Sequence, residues 1–145
     1  MQKFIDNLFV KKTQSTYFQF IRYGFVAVIA LIADAGTLFL CKEKLHFSSI
    51  LSATIGFSFG LVVNYLLSVL WVFSKANVKK RWHELAIFSV IGLVGLAMTD
   101  LIIAVLTKHT GLVISKAIAI FIVYFWNFFA RKKILYNTPL MEETL

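Results

Sequence analysis

The stretch FSSILSATIGFSFGLVVNYLLSVLWVF, residues 47–73, contains no Asp, Glu, Lys or Arg from end to end. It exceeds the about 20 apolar residues that a helix needs to cross a bilayer, so it reads as a membrane span. Its flanks agree. Charges return only at Lys44 on one side and Lys75 on the other. Outward from there, three further stretches of mostly apolar residues read as spans although they include Arg22 and Asp34, Asp100, and Lys116 respectively, and the four run over about 18–40, 47–73, 85–106 and 111–130. Ala33-Asp34-Ala35 mimics a small-residue cleavage site, but the apolar run continues past it through Leu40, so the first stretch reads as a retained span.

Composition points the same way. The chain has 145 residues, of which 59% are hydrophobic and 15% charged. Soluble domains are roughly 45–50% apolar and about 25% charged, and so small a core has no room to hide the excess from water. The fold class expected is therefore an all-α membrane protein with four transmembrane helices. The net charge of +8 would suggest nucleic acid in a soluble protein. Here it suggests anionic lipid headgroups or an anionic lipid-borne substrate, and no nucleic-acid partner is expected. Cys41 is the single cysteine, which excludes an internal disulfide, and no Cys/His spacing suits a metal. No metal and no cofactor are expected.

Outside the spans, residues 1–17 read as an amphipathic interfacial segment. Phe4, Ile5, Leu8 and Phe9 fall on one helical face and Lys3, Lys11 and Lys12 elsewhere. Residues 137–145, with Pro139 and two glutamates, read as a flexible tail. Basic residues near span ends favour the cytoplasm. Lys3, Lys11, Lys12, Arg22, Lys75, Lys79, Lys80, Arg81, Arg131, Lys132 and Lys133 outnumber Lys42, Lys44, Lys108 and Lys116 on the other side. Both termini are thus expected in the cytoplasm, with the chain in the cytoplasmic membrane.

The second and fourth spans repeat each other. Laying Asn64 on Asn127 brings Phe73 onto Tyr136, so each copy holds an Asn inside one end of a span and closes on an aromatic. The first and third spans align with Asp34 on Asp100. Each half is then a two-helix hairpin with one acid and one amide. An even number of spans per half makes the repeat parallel.

Polar groups in a span need a reason, because an ionisable side chain there costs roughly 2.5–3.5 kcal/mol on insertion scales. Asp34 lies about 24 Å along the first span, and Asp100 and Lys116 fall at a similar height, so the three are placed to form one ionic cluster. For Lys116 the readings are snorkelling to headgroups or holding an acid or a bound phosphate. For Asp34 and Asp100 they are structural pairing or a part in binding. Asn64 and Asn127 suit sugar hydroxyls or phosphate oxygens, or else helix-to-helix hydrogen bonds. Gly56 to Gly60 is a GxxxG, whose default reading is close helix packing within or between chains. Arg22, the middle loop and Arg131 to Lys133 form a basic rim, either a topology signal or a collector of anionic headgroups. Trp126 is an interface aromatic or, beside Asn127, a platform for a sugar ring. No catalytic signature such as GxSxG or HExxH occurs, and no catalytic residue is expected.

The chain resembles the GtrA-like family of small four-span membrane proteins. Arg22-Tyr23-Gly24 with Asp34, Asn64-Tyr65-Leu66 ending in Trp71-Val72-Phe73, Thr99-Asp100, and Ser115-Lys116 followed by Trp126-Asn127-Phe128 carry the likeness. The second ending, Ile134-Leu135-Tyr136, departs from the Trp-Val-Phe close of the first. The resemblance implies flipping of an undecaprenyl-phosphate-linked sugar for glycosylation of teichoic acid, O-antigen or a similar polymer. Membrane glycosyltransferases of the same pathway would be its partners.

On this reading the substrate-binding residues are Lys116, Asn64, Asn127, Asp34, Asp100, Trp126, Arg22 and Arg131. Four spans make a thin wall, so a homo-oligomer is expected. The alternative is a non-transporting scaffold for a glycosyltransferase. A small multidrug exporter, with Asp34 as its membrane acid, ranks third because Lys116 and the basic rim repel cationic drugs.

Overall fold

The computed structural model describes residues 5–6, 15–73, 76 and 78–136. Most of the proposed interfacial segment and the whole tail lie outside them. The described residues are almost wholly helical and contain no strand. In hydrocarbon every backbone donor and acceptor must be satisfied within the segment, and a helix does so.

Four helices carry the spans. Helix α1, Thr16–Phe39, runs on through a π-helical turn, Leu40–Lys44. Helix α2, Ser49–Leu67, ends in a second π-helical turn, Ser68–Val72. Helix α3 covers Arg81–Thr110 and α4 covers Leu112–Leu135. All four are long and apolar enough to cross a membrane. The chain divides into two compact units, Met1–Ser74 and Lys75–Leu145. The first holds α1 packed on α2 and the second α3 packed on α4, so each is an antiparallel hairpin with an open end and a turn end.

The third span is longer than expected, beginning at Arg81 rather than near 85 and ending at Thr110 rather than near 106. Charges end a hydrocarbon-compatible stretch, but they do not end a helix. Backbone hydrogen bonding continues into the headgroup region, where Arg81 and Lys108 are tolerated.

The two turns differ. Between α1 and α2 the chain bends through His46 in the left-handed region, φ 54°, and the Ser48 hydroxyl accepts from Leu51 N at 3.3 Å to open α2. Between α3 and α4 the whole connection is Gly111, φ 79°. Its N–H returns to Thr107 O at 3.1 Å, and its carbonyl accepts from the Ser115 backbone and hydroxyl at 3.1 and 2.7 Å.

Large apolar side chains such as Leu31, Ile32 and Leu101 point outward. The seams bury apolar residues such as Val26, Phe88, Phe128 and Leu135 together with Gln19, Arg22, Ser52, Ser68, Glu84, Ser115 and Arg131. Lipid is as apolar as leucine, so a membrane hairpin gains little by burying aliphatics and places small and polar groups at its seam. Several hydroxyls are satisfied within their own helix: Thr54 on Ile50 O, Ser58 on Thr54 O, Ser89 on Leu85 O, Thr99 on Gly95 O and Thr107 on Ile103 O.

Candidate functional site

In the first hairpin the polar seam begins at the open end. Arg22, 1% exposed, donates from Nη1 to Trp71 O at 2.7 Å. The last carbonyls of a helix lack intrahelical partners, and Arg22 on α1 supplies one from across the hairpin. The guanidinium also lies 5.6 Å from the centre of the Trp71 ring, within cation–π range. Phe25 packs on that indole at 6.5 Å, and Tyr23 meets Phe73 at 6.4 Å. One π-turn further in, Asn64 Oδ1 accepts from the Ser68 hydroxyl at 3.2 Å.

Nearer the turn end, Asp34 is wedged against the GxxxG of α2. A Cβ on Gly56 would stand 2.7 Å from Asp34 Oδ1 and 2.8 Å from its backbone oxygen, and one on Gly60 would stand 2.7 Å from Asp34 Cβ. The glycines therefore join two helices of one chain, and the acid occupies the space they leave. Among the described residues of its hairpin, Asp34 has no ion pair or hydrogen-bond donor to its carboxylate.

The second hairpin has a longer seam. At the open end Tyr136 donates its hydroxyl to Glu84 Oε1 at 2.8 Å, with both residues buried. Arg131, 2% exposed, donates from Nη2 to Phe88 O at 3.4 Å and lays its guanidinium carbon 3.5 Å from the centre of the Phe88 ring. Trp126 donates its indole N–H to Ile91 O at 3.2 Å. Asn127 lies on Gly95, where a Cβ would approach its amide nitrogen to 2.9 Å and its Oδ1 to 3.3 Å. That Oδ1 is buried and has no hydrogen-bond partner among the described residues.

Each hairpin thus pairs an arginine with an aromatic across its seam, at positions that the sequence alignment of the halves relates only in part: Arg22 aligns with Phe88, but Trp71 aligns with Ile134 and Arg131 with Ser68. In the first hairpin the arginine stands on the first helix and its aromatic on the second; in the second hairpin the order is reversed. Trp126, Asn127 and Arg131 are brought onto one seam, and Arg22 and Asn64 lie toward the open end of the other. Asp100 and Lys116 are exposed and form no ion pair with each other within their hairpin.

Glu84 is the polar residue that the sequence reading passes over. It follows Lys79, Lys80 and Arg81, so it reads as part of a solvated loop. Only its bond to Tyr136, 52 residues away, marks it as an interior group.

Residues 22–136 match the family model described as GtrA/DPMS, transmembrane domain. No curated protein and no solved structure matches the chain.

Proposed function

The chain belongs to the GtrA/DPMS transmembrane-domain family, and hence to polyprenyl-phosphate sugar metabolism; from that premise we propose that it flips an undecaprenyl-phosphate-linked sugar across the cytoplasmic membrane without catalysing a reaction. The observation that carries this reading is Asn127 Oδ1, a buried acceptor with no donor. Such an atom costs about 1–3 kcal/mol, and a sugar hydroxyl arriving between the helices supplies the missing donor. Asn127 is flanked on the same seam by Trp126, an aromatic face for a sugar ring, and by Arg131.

Asn64 offers a polar contact of the same kind in its own hairpin, and Arg22 and Arg131 each brace the seam of the hairpin in which they stand. Lys116, exposed and without an acidic partner in its hairpin, is the cation for the carrier phosphate. Asp34 and Asp100 are hydrogen-bond acceptors for sugar hydroxyls on the way through. The open ends, with their basic rim, face the cytoplasm, where the carrier is loaded. Consumption by glycosyltransferases on the outer side draws the cargo across, and a homo-oligomer thickens the wall around the path.

Reconstitution tests this. Vesicles containing the pure protein should expose a labelled polyprenyl-phosphate sugar on the opposite leaflet faster than protein-free vesicles. Lys116→Ala and Asn127→Ala should each slow that exposure by about tenfold or more, the loss of one good polar contact being worth about 1.4 kcal/mol. No acceleration by the parent protein would transfer the reading to a scaffold for a glycosyltransferase.

A further inference from the structure

The second hairpin can part from one end only. At the turn end Gly111 alone links α3 to α4, so the chain itself holds the helices together. The open end has no such link, and the ends of packed elements separate at lower cost than their middles. What holds α3 to α4 there decides how readily their seam is entered.

A difference between the two halves of the sequence supplies the tie. Where the first hairpin closes on Phe73 the second closes on Tyr136, and laying Asp34 on Asp100 sets Phe18 against Glu84. The hydroxyl that Phe73 lacks donates to Glu84 Oε1 at 2.8 Å. Glu84 stands in the first turn of α3, and Tyr136 follows the last residue of α4. They are 3% and 9% exposed, so the bond is shielded from water that would compete for both groups. Further in lies Arg131, with a long 3.4 Å bond to the Phe88 carbonyl, and then Trp126 on Ile91 O. Asn127 on Gly95 comes next. The ties stand in series, and the bond between Glu84 and Tyr136 is the outermost.

The hairpin with this tie is also the one whose seam holds Asn127 Oδ1, a buried acceptor with no donor among the described residues. In the first hairpin Asn64 Oδ1 already accepts from Ser68, and neither Phe18 nor Phe73 has a polar side-chain atom. We propose that the bond between Glu84 and Tyr136 is a latch on the second hairpin. Made, it keeps α3 on α4 and Asn127 Oδ1 enclosed. Broken, it lets the open end part and a hydroxyl-bearing group reach that oxygen. That the group is the head of a lipid-linked sugar rests on the function proposed above; the latch itself stands on the contacts within one hairpin.

The experiment follows the latch without any cargo. The full chain in nanodiscs, with Cys41→Ser, carries one reporter cysteine at Ile91, 4% exposed, and its modification by a water-soluble methanethiosulfonate is timed. Tyr136→Phe keeps the ring and removes the hydroxyl. It should speed modification about tenfold, the shift in an opening equilibrium that loss of one buried hydrogen bond produces. Glu84→Leu should do the same, whereas Glu84→Gln, whose side-chain carbonyl still accepts from the phenol, should stay close to the parent. A second reporter at the buried Ala119, about two turns from Gly111, should be unchanged in all three variants. Equal rates at Ile91→Cys in the parent and in Tyr136→Phe overturn the latch. So does an equal rise at Ala119→Cys, because the hairpin then loosens as a whole. Failure of the flipping reading looks different: the expected labelling rates, beside a parent that moves no lipid-linked sugar, keep the latch and remove the cargo.

Discussion

Asn64 and Asn127 align when the second span is laid on the fourth, and they differ in what surrounds them. Asn64 Oδ1 receives the Ser68 hydroxyl. At the position equivalent to Ser68 the second hairpin has Arg131, whose guanidinium turns to Phe88 instead, and Asn127 Oδ1 is left without a donor. Removing a buried polar atom that has no partner is far cheaper than removing one that has. Asn127→Ala should therefore change unfolding stability in mixed micelles by less than about 1 kcal/mol while slowing the proposed exposure of lipid-linked sugar in vesicles by about tenfold. A loss of several kcal/mol would make the amide structural. Gly95→Ala should behave oppositely, costing about 1–3 kcal/mol by overpacking, since its Cβ would stand 2.9 Å from the Asn127 amide nitrogen. The double variant Gly95→Ala with Asn127→Ala should regain part of that loss, since Val123 Cγ1 would still stand 3.0 Å from the new Cβ; a double-mutant cycle measures the regained share directly.

Hydropathy located all four helices, because the cost of a charge in hydrocarbon belongs to the residue and is visible wherever it falls. Their ends were less legible. Arg81 and Glu84 lie within α3, although as charged residues they mark where a hydrocarbon-compatible stretch stops. The π-helical turns Leu40–Lys44 and Ser68–Val72 have no sequence signature at all, and the second of them sets Trp71 O within reach of Arg22. The connection expected between the third and fourth spans, over residues 107–110, is helical instead, and the turn is the single residue Gly111. That residue needs φ 79°, which a side chain disfavours, so Gly111→Ala should lower stability by about 1 kcal/mol, measurable as a reduced melting temperature in detergent. An unchanged melting temperature would mean that α3 and α4 are joined differently.

Across the chain the distribution of basic residues predicts both termini in the cytoplasm, and single-cysteine labelling checks it. Cys41, buried in the π-helical turn after α1, is first replaced by serine. Lys80→Cys should then react with an impermeant maleimide only from the cytoplasmic side and Lys108→Cys only from outside. Labelling of both from one side would contradict an odd number of crossings between them. The count of spans, the hairpin pairing and the family were all legible before any coordinates, since each depends on local composition or on short motifs such as Asn64-Tyr65-Leu66 and Trp126-Asn127-Phe128. Which polar groups are satisfied was not. That Asp34 fits the space over Gly56 and Gly60, that Glu84 meets Tyr136 and that Asn127 Oδ1 meets nothing all follow from the register of one helix against another. Register is the sum of many small contacts between residues far apart in the chain, and no stretch of sequence states it locally.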